Sequence, residues 1–310
     1  MSNVRMQAVR FHDYGGPEVL VLEQVPLPQP QADQVLVRVL AAGVNPADWK
    51  MRAGFYQEFM PLPLPWTPGL EAAGIIEAVG ADVTTLQSGQ AVYGLVNGAY
   101  AEYAVAPAHD LRPKPAHLTF EQAAAVPMGA LTAWQAVIEE AKVQLGQRVL
   151  VHGAAGGVGL FAVQLARWKG AHVIGTASAG NIEFVRSLGA ETVIDYNAAP
   201  FERVVRDVDV VVDTVGSEVL ERSWQVLRPE GVLVTVAAQL SPEAGQAHGV
   251  RALMARRASP DRLQPISELL ESKQITPVVG AVFPLAQARQ AHELSQTGHG
   301  RGRIILHMGD

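Results

Sequence analysis

The stretch "VLVHGAAGGVGLFAVQLARWKGAHVIGTAS", residues 149–178, constrains the fold more than any other. It reads as strand, glycine turn, helix and strand. Val158, Phe161, Ala162, Leu165 and Trp168 recur at helical spacing after the turn. Counted from Ala154, "GAAGGVG" has the dinucleotide-binding spacing, with alanine in the place of the first glycine. A small residue permits the tight turn, Gly156 lets the backbone approach a pyrophosphate, and Gly159 lets the helix pack closely on the strand. The helix start offers unpaired N–H groups and its positive end to phosphates. The pattern therefore predicts a dinucleotide site built on Gly153, Ala155, Gly156, Gly157, Val158 and Gly159.

The second strand bears on which dinucleotide is held. An NAD site places a carboxylate about 20 residues beyond the motif, on the adenosine ribose hydroxyls. Here no Asp or Glu occurs from Leu160 until Glu183, and Thr176, Ser178 and Asn181 fill that space. Hydroxyl and amide groups accept a 2′-phosphate without repelling it, so NADPH is expected in preference to NADH. No Arg or Lys stands in the turn itself; Arg186 or a distant arginine is left to supply the positive charge.

From Arg148 onward strands and helices alternate, and "RVLVHG", "AHVIGTA", "VDVVVDTVG" and "GVLVTVA" are continuously apolar, as strands covered by helices on both faces are. The first third differs. Short β patterns such as "QVLVRVLAAGV" and "EAAGIIEAVG" are punctuated by Pro61, Pro63, Pro65 and Pro68, which suits a small irregular barrel. A helix, a break and a second helix are expected from Thr119, its cap, with Glu121 and Gln122 in the first turn. After a helix starting near residue 261, the segments "PVVGAVFPLAQARQAHELSQ" and "GRIILHM" look like the first domain resuming. With 310 residues and 48% apolar composition, two domains with buried cores are expected.

The absence of cysteine excludes disulfides, thiolate catalysis and cysteine-based zinc sites. A net charge of −6 argues against a nucleic-acid or anionic-membrane surface. In "RALMARRASPDR", Arg251, Arg256, Arg257 and Arg262 form either a solvated surface segment or a basic lip over a phosphate-bearing ligand. The N-terminal "MSNVRMQAVRF" has no apolar core of signal-peptide length, and no apolar run is long enough to span a bilayer. A cytoplasmic location is expected.

Motifs spread through the chain resemble those of the zinc-independent medium-chain dehydrogenases/reductases, in the quinone oxidoreductase or zeta-crystallin-like branch. They are "GVNPADWK" (43–50), "PGLEAAGIIEAVG" (68–80), "GALTAWQAV" (129–137), "GAAGGVG" (153–159), "LGAETVIDY" (188–196), "VDTVG" (212–216) and "GRIIL" (302–306). The resemblance implies an α/β chain: a GroES-like β-barrel catalytic domain from residues 1–122 and 268–310, and a Rossmann doubly wound parallel-sheet domain over 123–267. It also implies an active site in the cleft between the domains and a homodimer. The zinc branch carries Cys where this chain has Asn45 and His where it has Leu70, side chains that cannot replace a thiolate and an imidazole. The nine histidines show no HxH or HExxH spacing. No zinc is therefore expected.

Carried over residue by residue, the resemblance places Asn45 beside the nicotinamide and its ribose. Thr132 is set at the nicotinamide amide, and Tyr196 beside the adenosine or, equally, in the core. Ser178, Asn181, Val215 and Ala237 complete the cofactor set. Asn181 departs from relatives that carry a lysine nearby for the 2′-phosphate. Lys50 stands either toward the substrate or on the surface, and Asp48 is expected to be a structural partner. Tyr56, Phe59 and Met254 are candidates for the substrate cleft. Without a Lewis acid, hydride delivery to a quinone or an α,β-unsaturated carbonyl is expected, since conjugation spreads the developing charge. The alternative is an NADPH-binding structural or regulatory protein with little catalysis.

Overall fold

A computed structural model describes residues 4–255 and 258–309. The chain divides into two units. The first runs to Met128 and takes up Leu263–Glu271 and the stretch from Pro277 onward; the second holds Gly129–Arg262 and Ser272–Thr276.

In the first unit the long strand Gln34–Val44 is the organiser. It pairs antiparallel with Glu71–Val79, with Tyr103–Pro107 and with Arg303–His307. Register shifts at Leu36/Val37 and Val39/Ala41 mark irregularities that bend a strand and increase its twist, and so let it serve several partners. Among the described residues the sheet has seven strands. Val279–Pro284 lies beyond Arg303–His307 at one side, and Ala91–Leu95 then Leu111–Pro113 lie beyond Glu71–Val79 at the other. A separate hairpin joins Arg5–Arg10 to Val21–Pro26. Val35, Val37, Val39, Ile76, Val92, Tyr100 and Leu306 form the core between them.

The expected helix, break and helix is present as Phe120–Ala124 and Pro127–Trp134. Thr119 caps the first: its Oγ1 accepts from Gln122 N at 3.2 Å, and Gln122 Oε1 accepts from Thr119 N at 3.0 Å.

In the second unit, six parallel strands among the described residues lie in the order Thr192–Asp195, His172–Ala177, Arg148–Val151, Val208–Asp213, Leu227–Thr235, Arg251–Met254. Numbered along the chain this is 3-2-1-4-5-6, the doubly wound Rossmann order. Val149, Leu150, Val151, Val210, Val211 and Val212 are all fully buried, which accounts for runs of apolar residues without alternation. The strand order reverses between Arg148–Val151 and Val208–Asp213, so the loops leaving these two strands flank the crevice where such sheets take their ligands.

The unit boundaries differ from the expected 1–122, 123–267 and 268–310. Glu71 Oε2 accepts from Met128 N at 2.6 Å, which ties the start of the helix Pro127–Trp134 to the first unit. The helix Leu263–Glu271 belongs there as well, its Ser267 hydroxyl lying 2.7 Å from the buried Tyr93 hydroxyl.

Candidate functional site

The loop after Arg148–Val151 has the geometry the glycine spacing predicts. Gly156 N donates to Gly153 O at 2.9 Å, closing the turn, and the helix Gly159–Trp168 follows directly. A Cβ on Gly159 would collide with the Gly153 carbonyl oxygen and come within 2.9 Å of Ala154 Cα. A Cβ on Gly156 would meet only the Gly153 oxygen, at 3.2 Å, so its other side is open. Gly156, Gly157 and Val158 are partly exposed at the helix start, while Ala155 is buried beneath them. This is a cradle of backbone N–H groups that fits a pyrophosphate. Thr132 is half-buried on the helix Pro127–Trp134; three residues before it, a Cβ on Gly129 would lie 2.5 Å from Gly157 O.

At the next strand end, Asn181 Nδ2 donates to Ser178 Oγ at 3.1 Å and Asn181 N donates to Ser178 O at 2.9 Å. Tyr196 N donates to Ala177 O at 3.2 Å, and the side chain is 47% exposed, so the core alternative for Tyr196 is removed. Ser178, Asn181 and Tyr196 thus stand together around one turn. Arg186 is ion-paired to Glu183 at 2.5 Å.

Thr176 does not join them. It is buried, and its hydroxyl lies 3.3 Å from Gly153 N and 3.2 Å from His152 Nδ1. On the far side of the imidazole, Nε2 lies 3.1 Å from Ser223 Oγ, whose own proton goes to Val219 O at 2.6 Å. That last bond orders the chain. Ser223 must accept from His152 Nε2–H, the bare Nδ1 must accept from Thr176, and Thr176 is left to accept from Gly153 N–H. Burial holds His152 neutral, pushing it down to about 4. Thr176 is therefore a brace for the glycine turn and is spent before any 2′-phosphate arrives.

Val215 is 49% exposed and Ala237 is exposed, each in the loop leaving its strand. A Cβ on Gly153 would lie 3.2 Å from Val215 Cγ2, so the glycine turn and the Val215 loop abut. Met254 ends the outermost strand, in register with Thr235. Of the arginines weighed as a solvated segment or a basic lip, Arg256 and Arg257 lie outside the described residues, and Arg262 is ion-paired to Glu139.

In the first unit Asn45 is buried and precedes the helix Pro46–Arg52. Its Oδ1 accepts from Arg303 Nη2 at 2.8 Å, and its Nδ2 donates to Glu71 Oε1 at 2.8 Å. Arg303 and Glu71 are themselves ion-paired and buried. Neither charge was legible as a site feature, although both lie within quoted motifs. The Asn45 amide is thus fixed in direction, with one N–H left over.

Asp48 is the structural partner expected of it: its carboxylate accepts from Asn45 N at 2.7 Å and from Tyr100 Oη at 3.3 Å. Lys50 is partly exposed, its ammonium 5.7 Å from the Trp49 ring centroid. Tyr56 and Phe59 stand together with ring centroids 5.6 Å apart, and Phe59 is 74% exposed.

Burial above all, with the charge of Glu71, pushes the Asp48 carboxyl up to about 7. In the unfolded chain this group releases its proton near 3.8. Between those values the folded form binds a proton that the unfolded form does not, so stability falls as pH rises from about 4 through about 7. His152 and His292, pushed down to about 4 and about 3, act in the opposite direction below neutrality. Parent and Asp48→Asn are therefore compared at each pH by urea denaturation. The parent is expected to lose ground to the variant by roughly 1 kcal/mol per pH unit over that window and to level off above it. A difference independent of pH would show that Asp48 does not titrate there.

Among the described residues, no group of three or more His, Cys, Asp or Glu side chains is arranged to hold a metal ion. No described helix is long and apolar enough to cross a membrane.

Residues 31–116 match the family model of the alcohol dehydrogenase GroES-like domain, and residues 188–306 match that of the zinc-binding dehydrogenase. A GroES-like unit together with a 3-2-1-4-5-6 parallel sheet and its glycine turn defines a medium-chain dehydrogenase/reductase, a nicotinamide-dependent class of oxidoreductase. The chain is 36% identical to the quinone oxidoreductase of Mus musculus, over 97% of each chain. It is 32% identical to the chloroplastic NADPH-dependent alkenal/one oxidoreductase of Arabidopsis thaliana, over 97% of this chain and 79% of that one. The structure of the quinone oxidoreductase from Coxiella burnetii superposes with a TM-score of 0.93 at 34% identity, covering 99% of this chain and 100% of that one. The chain belongs to the quinone oxidoreductase, zeta-crystallin-like, family.

Proposed function

We propose that this protein is an NADPH-dependent reductase of quinones or α,β-unsaturated carbonyl compounds that works without a metal. The observation that carries the reading is its likeness, along nearly its whole length, to enzymes named for these two acceptor classes. A bound dihydronicotinamide supplies the hydride. The chain's residues bind, orient and stabilise. The N–H groups of Gly157 and Val158 receive the pyrophosphate where Gly156 leaves the backbone open to it, and Ser178 and Asn181 receive the adenosine ribose and its 2′-phosphate beside Tyr196. Thr132, Val215 and Ala237 bound the nicotinamide half. Asn45, held by Glu71 and Arg303, keeps one N–H for the ribose or the substrate oxygen. Lys50 offers an ammonium to the charge that builds on that oxygen, and Tyr56, Phe59 and Met254 supply apolar surface to the acceptor. A quinone or enone spreads the charge as phenolate or enolate, so hydrogen bonds suffice where an alkoxide needs a Lewis acid.

Metal independence is supported by Asn45 and Leu70, neither of which is a zinc-ligand side chain. The match to the model described as zinc-binding covers 188–306 and includes neither position. Small-molecule substrates, a homodimer and the cytoplasm complete the proposal, on the strength of the family.

Stopped-flow oxidation of NADPH against quinones, enones, simple ketones and alcohols, with and without a chelator, tests the reading. Turnover of the conjugated acceptors alone, unaffected by the chelator, is expected. Turnover of ketones or alcohols in their place overturns the reaction class, and binding without turnover returns the protein to a nucleotide-binding role. For the cofactor, Ser178→Asp is expected to weaken NADPH roughly tenfold or more while leaving NADH within about twofold, as the new charge meets the 2′-phosphate. Calorimetric titration of parent and variant with both nucleotides reads this directly. Tighter NADH binding by the parent removes the NADPH assignment.

A further inference from the structure

Asp213 ends the strand Val208–Asp213 and is fully buried, yet its carboxylate is crowded with donors. Oδ1 accepts from Val215 N and from Gly216 N, each at 2.9 Å. Oδ2 accepts from Gly216 N at 3.2 Å and from Thr235 Oγ1 at 2.7 Å. Thr235 lies on the neighbouring strand, and its hydroxyl oxygen in turn accepts from Ala237 N at 3.1 Å. A single carboxylate therefore sets the loops leaving two adjacent strands. The first of these loops needs holding: Gly216 and Ser217 sit at φ of 78° and 52°, and Ser217 is not a glycine. The loops also touch, for a Cβ on Gly216 would lie 3.4 Å from Ala237 Cβ.

Beyond them, Thr214 Oγ1 donates to His152 O at 2.8 Å, so the Val215 loop is tied back to the glycine turn. Val215 and Ala237 are the exposed residues of these loops; the Val215 N–H donates to Asp213 directly and the Ala237 N–H donates to Thr235, which donates to Asp213.

We propose that Asp213, acting through Thr235, is a positioning residue for the nicotinamide half of the bound dinucleotide, holding the Val215 and Ala237 loops in one arrangement. The inference rests on the proposed function, which gives those loops to the nicotinamide. Asp213 touches neither cofactor nor substrate. The Ser178–Asn181 turn leaves a different strand, and none of the hydrogen bonds of the Asp213 carboxylate goes to it.

That asymmetry supplies the test. Thr235→Val keeps the side-chain shape but removes both the bond to Asp213 and the acceptor for Ala237 N. Thr235→Ser keeps both. Asp213→Asn keeps the shape of the hub while replacing one acceptor oxygen by a donor. Calorimetric titration with NADPH and with 2′,5′-ADP, which lacks the nicotinamide half, separates local positioning from general damage. Thr235→Val and Asp213→Asn are expected to weaken NADPH about tenfold while 2′,5′-ADP stays within about twofold of the parent, and Thr235→Ser is expected to match the parent for both. The rate of hydride transfer to a 1,4-naphthoquinone should fall in step with the lost NADPH affinity.

If Thr235→Val binds NADPH as the parent does, the inference is overturned. An equal loss for NADPH and 2′,5′-ADP overturns it too, since the role is then merely structural. A parent that binds neither nucleotide removes the proposed function itself, an outcome recognised before any variant is made.

Discussion

Replacing Arg303 with methionine is expected to destabilise the first unit by about 3–5 kcal/mol, the range for removing one partner of a buried ion pair. The change strands the Glu71 carboxylate, which has no exposed surface, and takes the partner from Asn45 Oδ1. Methionine fills much of the volume, so the loss reflects an uncompensated charge more than a cavity. Thermal unfolding followed through Trp49 and Trp66 fluorescence should shift by on the order of 10 °C. The double variant Glu71→Gln/Arg303→Met should recover part of the loss, because no ion is then left unpaired. A single variant within about 1 kcal/mol of the parent would mean that the pair is not desolvated as described.

Gly159→Val is expected to abolish useful dinucleotide binding, raising Kd by about a hundredfold or more. The new side chain meets the backbone of Gly153 and Ala154, which cannot rotate away as a flexible side chain can. Either the turn opens or the helix Gly159–Trp168 lifts from its strand, and each movement dismantles the N–H cradle. Gly159→Ala should show the same effect in milder form. Fluorescence titration with NADPH, alongside circular dichroism to confirm a folded chain, reads the result. Binding within about threefold of the parent would show that phosphate contacts lie elsewhere.

The glycine turn and the parallel sheet were legible because their requirements are local. Gly159 has no room for a side chain, and Val149–Val151 must be apolar, whatever the distant chain does. That Ser178 and Asn181 stand together was legible for the same reason, since they are three residues apart in one turn. Thr176 was misjudged because its hydroxyl is claimed by Gly153 and His152, 23 and 24 residues away. Asp213 was passed over inside "VDTVG", since nothing in that string tells that Thr235 will lie against it. The helix Leu263–Glu271 carries an apolar stripe that suits either unit, and the Ser267–Tyr93 contact that assigns it spans 174 residues. Asn45 was marked for its position, but its partners come from residues 71 and 303.

The pairing of Gln34–Val44 with Arg303–His307 also bears on how the protein is made. Glu71 and Arg303 are 232 residues apart. At the pace of translation, about 5–20 residues per second, the glutamate waits roughly 10–50 s for its counter-ion. The parallel sheet lies wholly in the intervening chain and needs nothing from either flank to complete its strand order. It can fold on the ribosome while the β segments before it remain unclosed, their edges open to wrong partners. The late strand acts as a latch on the nascent chain, and slowing translation after residue 262 should lengthen the interval in which chaperones must shield the early strands.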